Sequence, residues 1–358
     1  MFGQLPKSKK DPKPVNIQGD ILLTSISTPR RASRTVIWLV LTGVLAVILF
    51  SILPFRLFVG LGPKLNLFAT VFLGIFIEAL PYLLIGTLIS GLVEVFIDRD
   101  QLTRLISNRA VPAAVTGALM GLVFPVCECG VIPLARRLFH KGLPLGAGVS
   151  FLLAAPVLNP IVIFSTAAAF GWGPMLLWRI GFTLLIAIIV GLVFSIERNS
   201  SNILLGSLGS SREHHHAESG APLGEKAQRA LTICADEFFE MGRYLIIGAI
   251  LAALLQTFIP QSALLAVGSG PVFSVLVMQL LAVILSICST VDAFVALGFT
   301  GAFSFGSILS FLVFGPMVDI KSVFMYLQVF RRRPVMYLVI LPFLMSLLAG
   351  ILFNYFMP

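Results

Sequence analysis

Seven apolar runs, at 35–53, 66–97, 145–170, 173–196, 231–259, 306–327 and 334–356, constrain this chain more than any other feature. About 20 residues rising 1.5 Å each cross a hydrocarbon core. Within that core every backbone amide and carbonyl needs a partner inside the protein. Uninterrupted runs of this length meet that demand as helices. Only 11% of the residues are charged, where soluble chains carry roughly 25%. The fold class is therefore an all-α polytopic membrane protein.

The net charge of +9 does not point to nucleic acid. Seven basic residues (Lys7, Lys9, Lys10, Lys13, Arg30, Arg31 and Arg34) precede the first run, where positive charge keeps residues 1–34 as a cytoplasmic tail. The 35–53 run is too long for a signal-peptide core and lacks a small-residue cleavage site, so it reads as a retained span. Four cysteines do not suggest a disulfide framework. The partner that composition implies is the lipid bilayer.

The chain also repeats itself. At an offset of 162 residues Glu78, Tyr82, Leu83, Ile85, Gly86, Leu92, Phe96 and Ile97 recur as Glu240, Tyr244, Leu245, Ile247, Gly248, Leu254, Phe258 and Ile259. At an offset of 160, Ser150-Phe151-Leu152, Pro156 and Asn159 are answered by Ser310-Phe311-Leu312, Pro316 and Asp319. The two repeats are 66–196 and 231–358, joined by a polar linker at 197–230. Many secondary transporters are built from such duplications, with the substrate held at the repeat interface.

Loop charge orients the halves. Arg99, Arg104 and Arg109 lie in 98–110, and Arg136, Arg137, His140 and Lys141 follow the first cysteine pair. Their counterparts at 260–270 and 298–306 carry no charge, whereas Gly171-Trp172-Gly173 is answered by Arg331-Arg332-Arg333. By the positive-inside rule, equivalent loops then face opposite sides of the membrane. That inversion needs an odd number of crossings per half, so 111–140 and 271–305 read as re-entrant hairpins. Each half has three spans and one hairpin, with one extra N-terminal span. The N-terminus and linker are cytoplasmic and Pro358 is outside. The competing layout, with nine crossings and a parallel repeat, places Arg136, Arg137 and Lys141 outside.

Chemistry concentrates at the hairpin tips. Pro125-Val126-Cys127-Glu128-Cys129-Gly130-Val131-Ile132-Pro133 combines residues that break helices with two soft thiols. Pro125, Gly130 and Pro133 are expected to interrupt the helix on both sides of the cysteines. Cys288 falls at the corresponding point of the second hairpin. Glu128 and Asp292, the acids at the two tips, read either as coupling-ion groups or as solvated loop acids. Pro156, Asn159 and Pro160, and again Pro316 and Asp319, interrupt the following spans. Asn159 and Asp319 there are candidate substrate contacts or caps of the break. Glu78 and Glu240 read as interfacial anchors, and Asp236, Glu240 and Arg243 as a solvated helix face. The triplet His214–His216 supports at most an incidental metal site. No phosphate loop, zinc helix or nucleophile elbow is present, and no cofactor or resident metal is expected.

Phe124–Leu134, Gly142-Leu143-Pro144-Leu145-Gly146 and Ser150–Pro160 resemble the bacterial predicted-permease family that includes the ArsP-type organoarsenical efflux permeases. The resemblance runs from about residue 65 onward, and its specific part is the cysteine-to-Asn-Pro block. It implies a multi-pass inner-membrane permease. It also implies that Cys127, Cys129 and Cys288 contact trivalent organoarsenicals, which bind thiols. The expected function is gradient-driven export of a small thiophilic solute. A soft-metal cation transporter, a membrane thiol–disulfide oxidoreductase and an assembly factor are the alternatives.

Overall fold

The computed structural model describes residues 62–96, 109–124, 126–197, 203–204, 223–258 and 270–356. The tail 1–34, the 35–53 run, Arg99, Arg104, Pro125, His214–His216, residues 259–269 and Pro358 lie outside the described residues.

The described residues form helices in an order that repeats. The first half runs α1 (Gly62–Phe96), α2 (Ala110–Val123), α3 (Glu128–His140), α4 (Leu145–Leu158), α5 (Pro160–Phe170) and α6 (Pro174–Ser195). The second half runs α7 (Leu223–Phe258), α8 (Phe273–Leu285), α9 (Asp292–Leu297), α10 (Phe305–Met317), α11 (Ile320–Val329) and α12 (Arg332–Phe356). Six stretches are long and apolar enough to cross a membrane: Gly62–Phe96, Leu145–Phe170, Pro174–Ser195, Gly224–Phe258, Phe305–Val329 and Arg332–Phe356. They coincide with six of the seven apolar runs. The pieces α2–α3 and α8–α9 are shorter, and a break in each leaves Cys127 or Cys288 beside it.

One boundary differs from the sequence reading. Helix α7 starts at Leu223, so the end of the 197–230 linker is helical. Residues 225–230 are Glu, Lys, Ala, Gln, Arg and Ala, all good helix formers, which carry the helix back beyond its apolar part. Glu78 lies midway along the 35 residues of α1, a helix about 52 Å long at 1.5 Å per residue.

Both halves are held by the same small-residue contacts. A Cβ on Gly146 of α4 would lie 2.9 Å from the Gly191 carbonyl oxygen of α6, and one on Gly350 of α12 would lie 2.9 Å from that of Gly306 in α10. Only glycine lets the backbones approach so closely. Beside these contacts Ser150 donates to the Ala187 carbonyl at 3.0 Å, and Ser310 donates to that of Ser346 at 3.1 Å. The long helices α1 and α7 pack against each other, and α4 and α10 meet at the centre.

Loops gather in two groups. The Phe139 and Phe330 rings meet edge-on at 5.7 Å, and the Arg331 amide donates to the Ile203 carbonyl at 2.9 Å. At the other ends of α5 and α6, Phe170, Pro174, Met175, Thr300, Phe303, Phe305 and Ile308 line a cavity of about 290 Å³.

Candidate functional site

The first hairpin turns at Cys127, whose extended backbone starts α3 and whose carbonyl accepts from the amides of Gly130 and Val131 at 3.1 and 2.9 Å. Glu128 is thus the first residue of α3, where an acid suits the positive end of the helix. Helix α3 then continues through Pro133, contrary to the expected break. A proline removes only one ladder bond, and a buried helix tolerates the loss when its neighbours hold it. Here α3 packs against α1 and α4, and Pro133 is buried.

Gly130 likewise does not break the helix. It has no left-handed backbone, and its value is the missing side chain. A Cβ there would sit 3.0 Å from the Tyr82 carbonyl oxygen and 3.2 Å from the Gly86 Cα. Pro156 and Pro316 lie inside α4 and α10, so these spans break after them, at Asn159-Pro160 and at Val318-Asp319. Pro160 occupies the first turn of α5, where its missing amide costs nothing.

Asn159 and Asp319 cap the helices beyond these breaks. Asn159 accepts from the Val162 amide at 2.9 Å and donates to the Val126 carbonyl at 3.1 Å, fixing the strand that leads into Cys127. Asp319 accepts from the Ser322 amide at 2.6 Å, while its own amide donates to the Ser322 hydroxyl at 2.9 Å. In the second hairpin, α8 ends at Ser286, a non-glycine residue with left-handed backbone (φ 47°). Its hydroxyl accepts from the Ile320 amide at 3.3 Å. The second tip is thereby tied to the start of α11.

These caps bring the cysteines together. Cys127, Cys129 and Cys288 are all buried and free, with Cys129 two residues beyond Cys127 in the first turn of α3. One ligand atom from each of Cys127, Glu128 and Cys288 lies within 4.8 Å of the others. A single soft atom can touch all three at that spacing. The fourth cysteine, Cys234, sits elsewhere, 3.5 Å from the Thr87 hydroxyl.

Two basic residues that the sequence reading passed over complete the charge pattern. Lys321 of α11 is 2% exposed, with its Nζ 3.5 Å from Glu128 Oε1 and 3.3 Å from Asp319 Oδ2. Arg179 of α6 grips Asp292, donating at 2.6 and 3.2 Å to its two oxygens and at 2.8 Å to the Thr166 hydroxyl. Both acids at the tips are buried, so neither is a solvated loop residue. The signal was available: a lone Lys or Arg inside an apolar span is costly and marks a partner.

A second set of ion pairs holds α3 to the long helices. Arg136 lies 2.9 Å from Glu240, and Arg137 lies 3.5 Å from the buried Glu237, which also accepts from Ser90 at 2.6 Å. Lys141 donates to the Glu94 carbonyl at 2.8 Å. Glu240 is therefore a packing contact of the hairpin, while Asp236 and Arg243 remain exposed on the helix face.

Among the described residues, six stretches able to cross a membrane, two of them broken, and a cluster of buried thiols and charges define a multi-pass membrane protein with an internal polar site. The family model described as a predicted permease, of the ArsP type, matches residues 64–355, and the chain belongs to that family. It is 44% identical to the UPF0718 protein YcgR of Bacillus subtilis over 283 residues, 78% of this chain and 94% of that one. It is 36% identical over 271 residues to a Streptococcus mutans protein whose name describes it as a subunit of a two-component membrane permease complex, covering 74% of this chain and 87% of that one. A shorter match, 28% over 89 residues, joins it to the UPF0718 protein YraQ of Escherichia coli, 25% of this chain and 26% of that one. No solved structure matches the chain.

Proposed function

We propose that this chain is an inner-membrane permease that exports a small, neutral, thiophilic solute, a trivalent organoarsenical being the class that fits best. The observation that carries the reading is the buried meeting of Cys127 and Cys288 at the tips of two broken helices, with the buried Cys129 two residues further on. An arsenical carrying two hydroxides exchanges them for two thiols and releases two waters, with no change of charge. That reaction suits a buried site with paired thiols and a release step.

Lys321 weighs against the soft-metal reading. The ammonium 3.5 Å from Glu128 already balances part of the charge that a cation would need. A neutral arsenical needs none.

The grouping of loops supports an inverted repeat. The end of α3 lies beside the α11–α12 junction, and the α5–α6 turn lies beside the loop after α9. Each half's hairpin exit thus neighbours the other half's broken-span exit, as inversion requires and a parallel repeat does not. With the basic loops inside, the N-terminus and linker are cytoplasmic and the site lies between the two sides.

The test is uptake of phenylarsenous acid by everted membrane vesicles. Cys127→Ser and Cys288→Ser should each reduce uptake by about ten-fold or more, and Cys234→Ser should leave it unchanged. Native uptake in a double Cys127→Ser, Cys129→Ser protein would refute the thiol site.

A further inference from the structure

We infer that Asn159 and Ser286 are positioning residues. Each ties a cysteine-bearing tip to the break in the span that follows it, and together they set the gap between the Cys127 and Cys288 thiols. This rests on the permease reading above and adds what holds its two thiols at a distance that one solute can bridge.

The same arrangement recurs in both halves. The Cys127 carbonyl accepts from the amides of Gly130 and Val131, and the Cys288 carbonyl accepts from those of Val291 and Asp292 at 3.0 and 3.1 Å. Each cysteine therefore stands just ahead of a short helix, after residues that belong to no helix. Buried backbone of that kind has no ladder of its own and needs partners from elsewhere. In the first half the partner is a side chain. Asn159 donates at 3.1 Å to the carbonyl of Val126, the residue before Cys127, across 33 residues of sequence. In the second half the roles reverse. The Ser286 hydroxyl, two residues before Cys288, accepts at 3.3 Å from the Ile320 amide, across 34 residues. The tie recurs although its chemistry does not, which points to the tie itself as the feature that matters.

Both ends of the Asn159 side chain are committed. Its oxygen accepts from the Val162 amide, its nitrogen donates to the Val126 carbonyl, and the residue is 2% exposed. Asn159 thus acts on a solute through Cys127 and not by contact.

Ser286 carries the sharper sign. Among the described residues no other non-glycine residue has left-handed backbone. Glycine adopts that conformation freely and is the usual residue at such a helix end, whereas serine holds it at a cost. What serine adds is the hydroxyl. Its proton goes to the Val283 carbonyl at 3.1 Å, which leaves the oxygen facing the Ile320 amide. The end of α8 is anchored separately, by Gln256 donating to the Ile284 and Leu285 carbonyls at 3.1 and 2.8 Å. Loss of the hydroxyl therefore frees only the segment that leads into Cys288. A ligand atom of Cys127 and one of Cys288 now lie within 4.8 Å of each other. A solute held by both sulfurs gains from finding them already in place, so freeing either tip weakens its hold.

The experiment measures the gap without any solute. In the full chain carrying Cys129→Ser and Cys234→Ser, Cys127 and Cys288 are the two thiols that remain. Dibromobimane joins two neighbouring thiols, and one-armed monobromobimane reports access to each thiol alone. Dibromobimane should join the pair in this parent. The yield should fall about two- to ten-fold, the factor that one hydrogen bond carries, in Asn159→Ser, which keeps an oxygen to cap α5. It should fall equally in Ser286→Ala and Ser286→Gly, with monobromobimane labelling undiminished in every variant. Ser165→Ala, which loses a hydroxyl bonded within α5 alone, should join its thiols as the parent does. Joining that is absent in the parent, unchanged in all the Asn159 and Ser286 variants, or equally reduced by Ser165→Ala overturns the proposal. A loss in Ser286→Ala with full joining in Ser286→Gly marks a strained turn and rejects the role of the hydroxyl. Should Asn159→Ser not fold, Ser286→Gly decides, because glycine takes that backbone without strain. With the native cysteines, the Asn159 and Ser286 variants should raise KM for phenylarsenous acid by the same factor and leave kcat unchanged. Joining that falls as expected in a protein that does not transport phenylarsenous acid supports the positioning and refutes the substrate reading. Cysteine-dependent uptake with native KM and native joining in these variants does the reverse.

Discussion

Replacing Arg179 by Met removes the partner of Asp292 and little else. The two side chains are 1% and 4% exposed, and the guanidinium donates to both carboxylate oxygens and to Thr166. Breaking a buried ion pair from one side costs about 3–5 kcal/mol, because the remaining charge is left without compensation. Arg179→Met should therefore lower the unfolding free energy in mixed-micelle denaturant titrations by about that amount. Changing both partners, Arg179→Met with Asp292→Leu, removes the stranded charge and should recover most of the loss. A single substitution within about 1 kcal/mol of the parent protein, or a double no more stable than the singles, would refute the reasoning. The same double variant separates the roles of the tip acids: transport that survives in it identifies Asp292 as a structural partner of Arg179, whereas its loss in a stable double variant returns Asp292 to the coupling machinery.

Two further outcomes follow from the fold. A cysteine introduced at Ser210 should resist impermeant thiol reagents in intact cells and react after permeabilisation; labelling from outside would contradict the inverted layout. Gly86→Val places its side chain against the Gly130 backbone, so α1 and α3 must separate. The variant should lose transport and about 1–3 kcal/mol of stability, the usual range for an overpacked contact, and a variant of native stability would show that the approach of the two helices is dispensable.

The spans were legible because apolar length is a direct signal: six of the seven runs coincide with helices of the described residues, and the seventh lies outside them. Cys288 could be placed opposite Cys127 through the repeat alone, and the structure brings the two together. The prolines misled. Pro133, Pro156 and Pro316 each remove one helical bond, but buried neighbours hold the helix through them, and the chain breaks at Asn159 and Asp319, where a side chain can cap the next helix. Lys321 and Arg179 carried a readable signal in their rarity. Their partners were not readable, since pairing Arg179 with Asp292 depends on how the two halves pack.

The claim at the centre of this account is that thiols of both hairpins hold the solute. X-ray absorption at the arsenic edge, on purified protein loaded with phenylarsenous acid, tests it most directly. The account predicts arsenic bonded to sulfur in the parent protein, with sulfur neighbours lost when Cys127 and Cys288 are both replaced by Ser. An arsenic shell made of oxygen alone, or sulfur neighbours unchanged in that double variant, would contradict it.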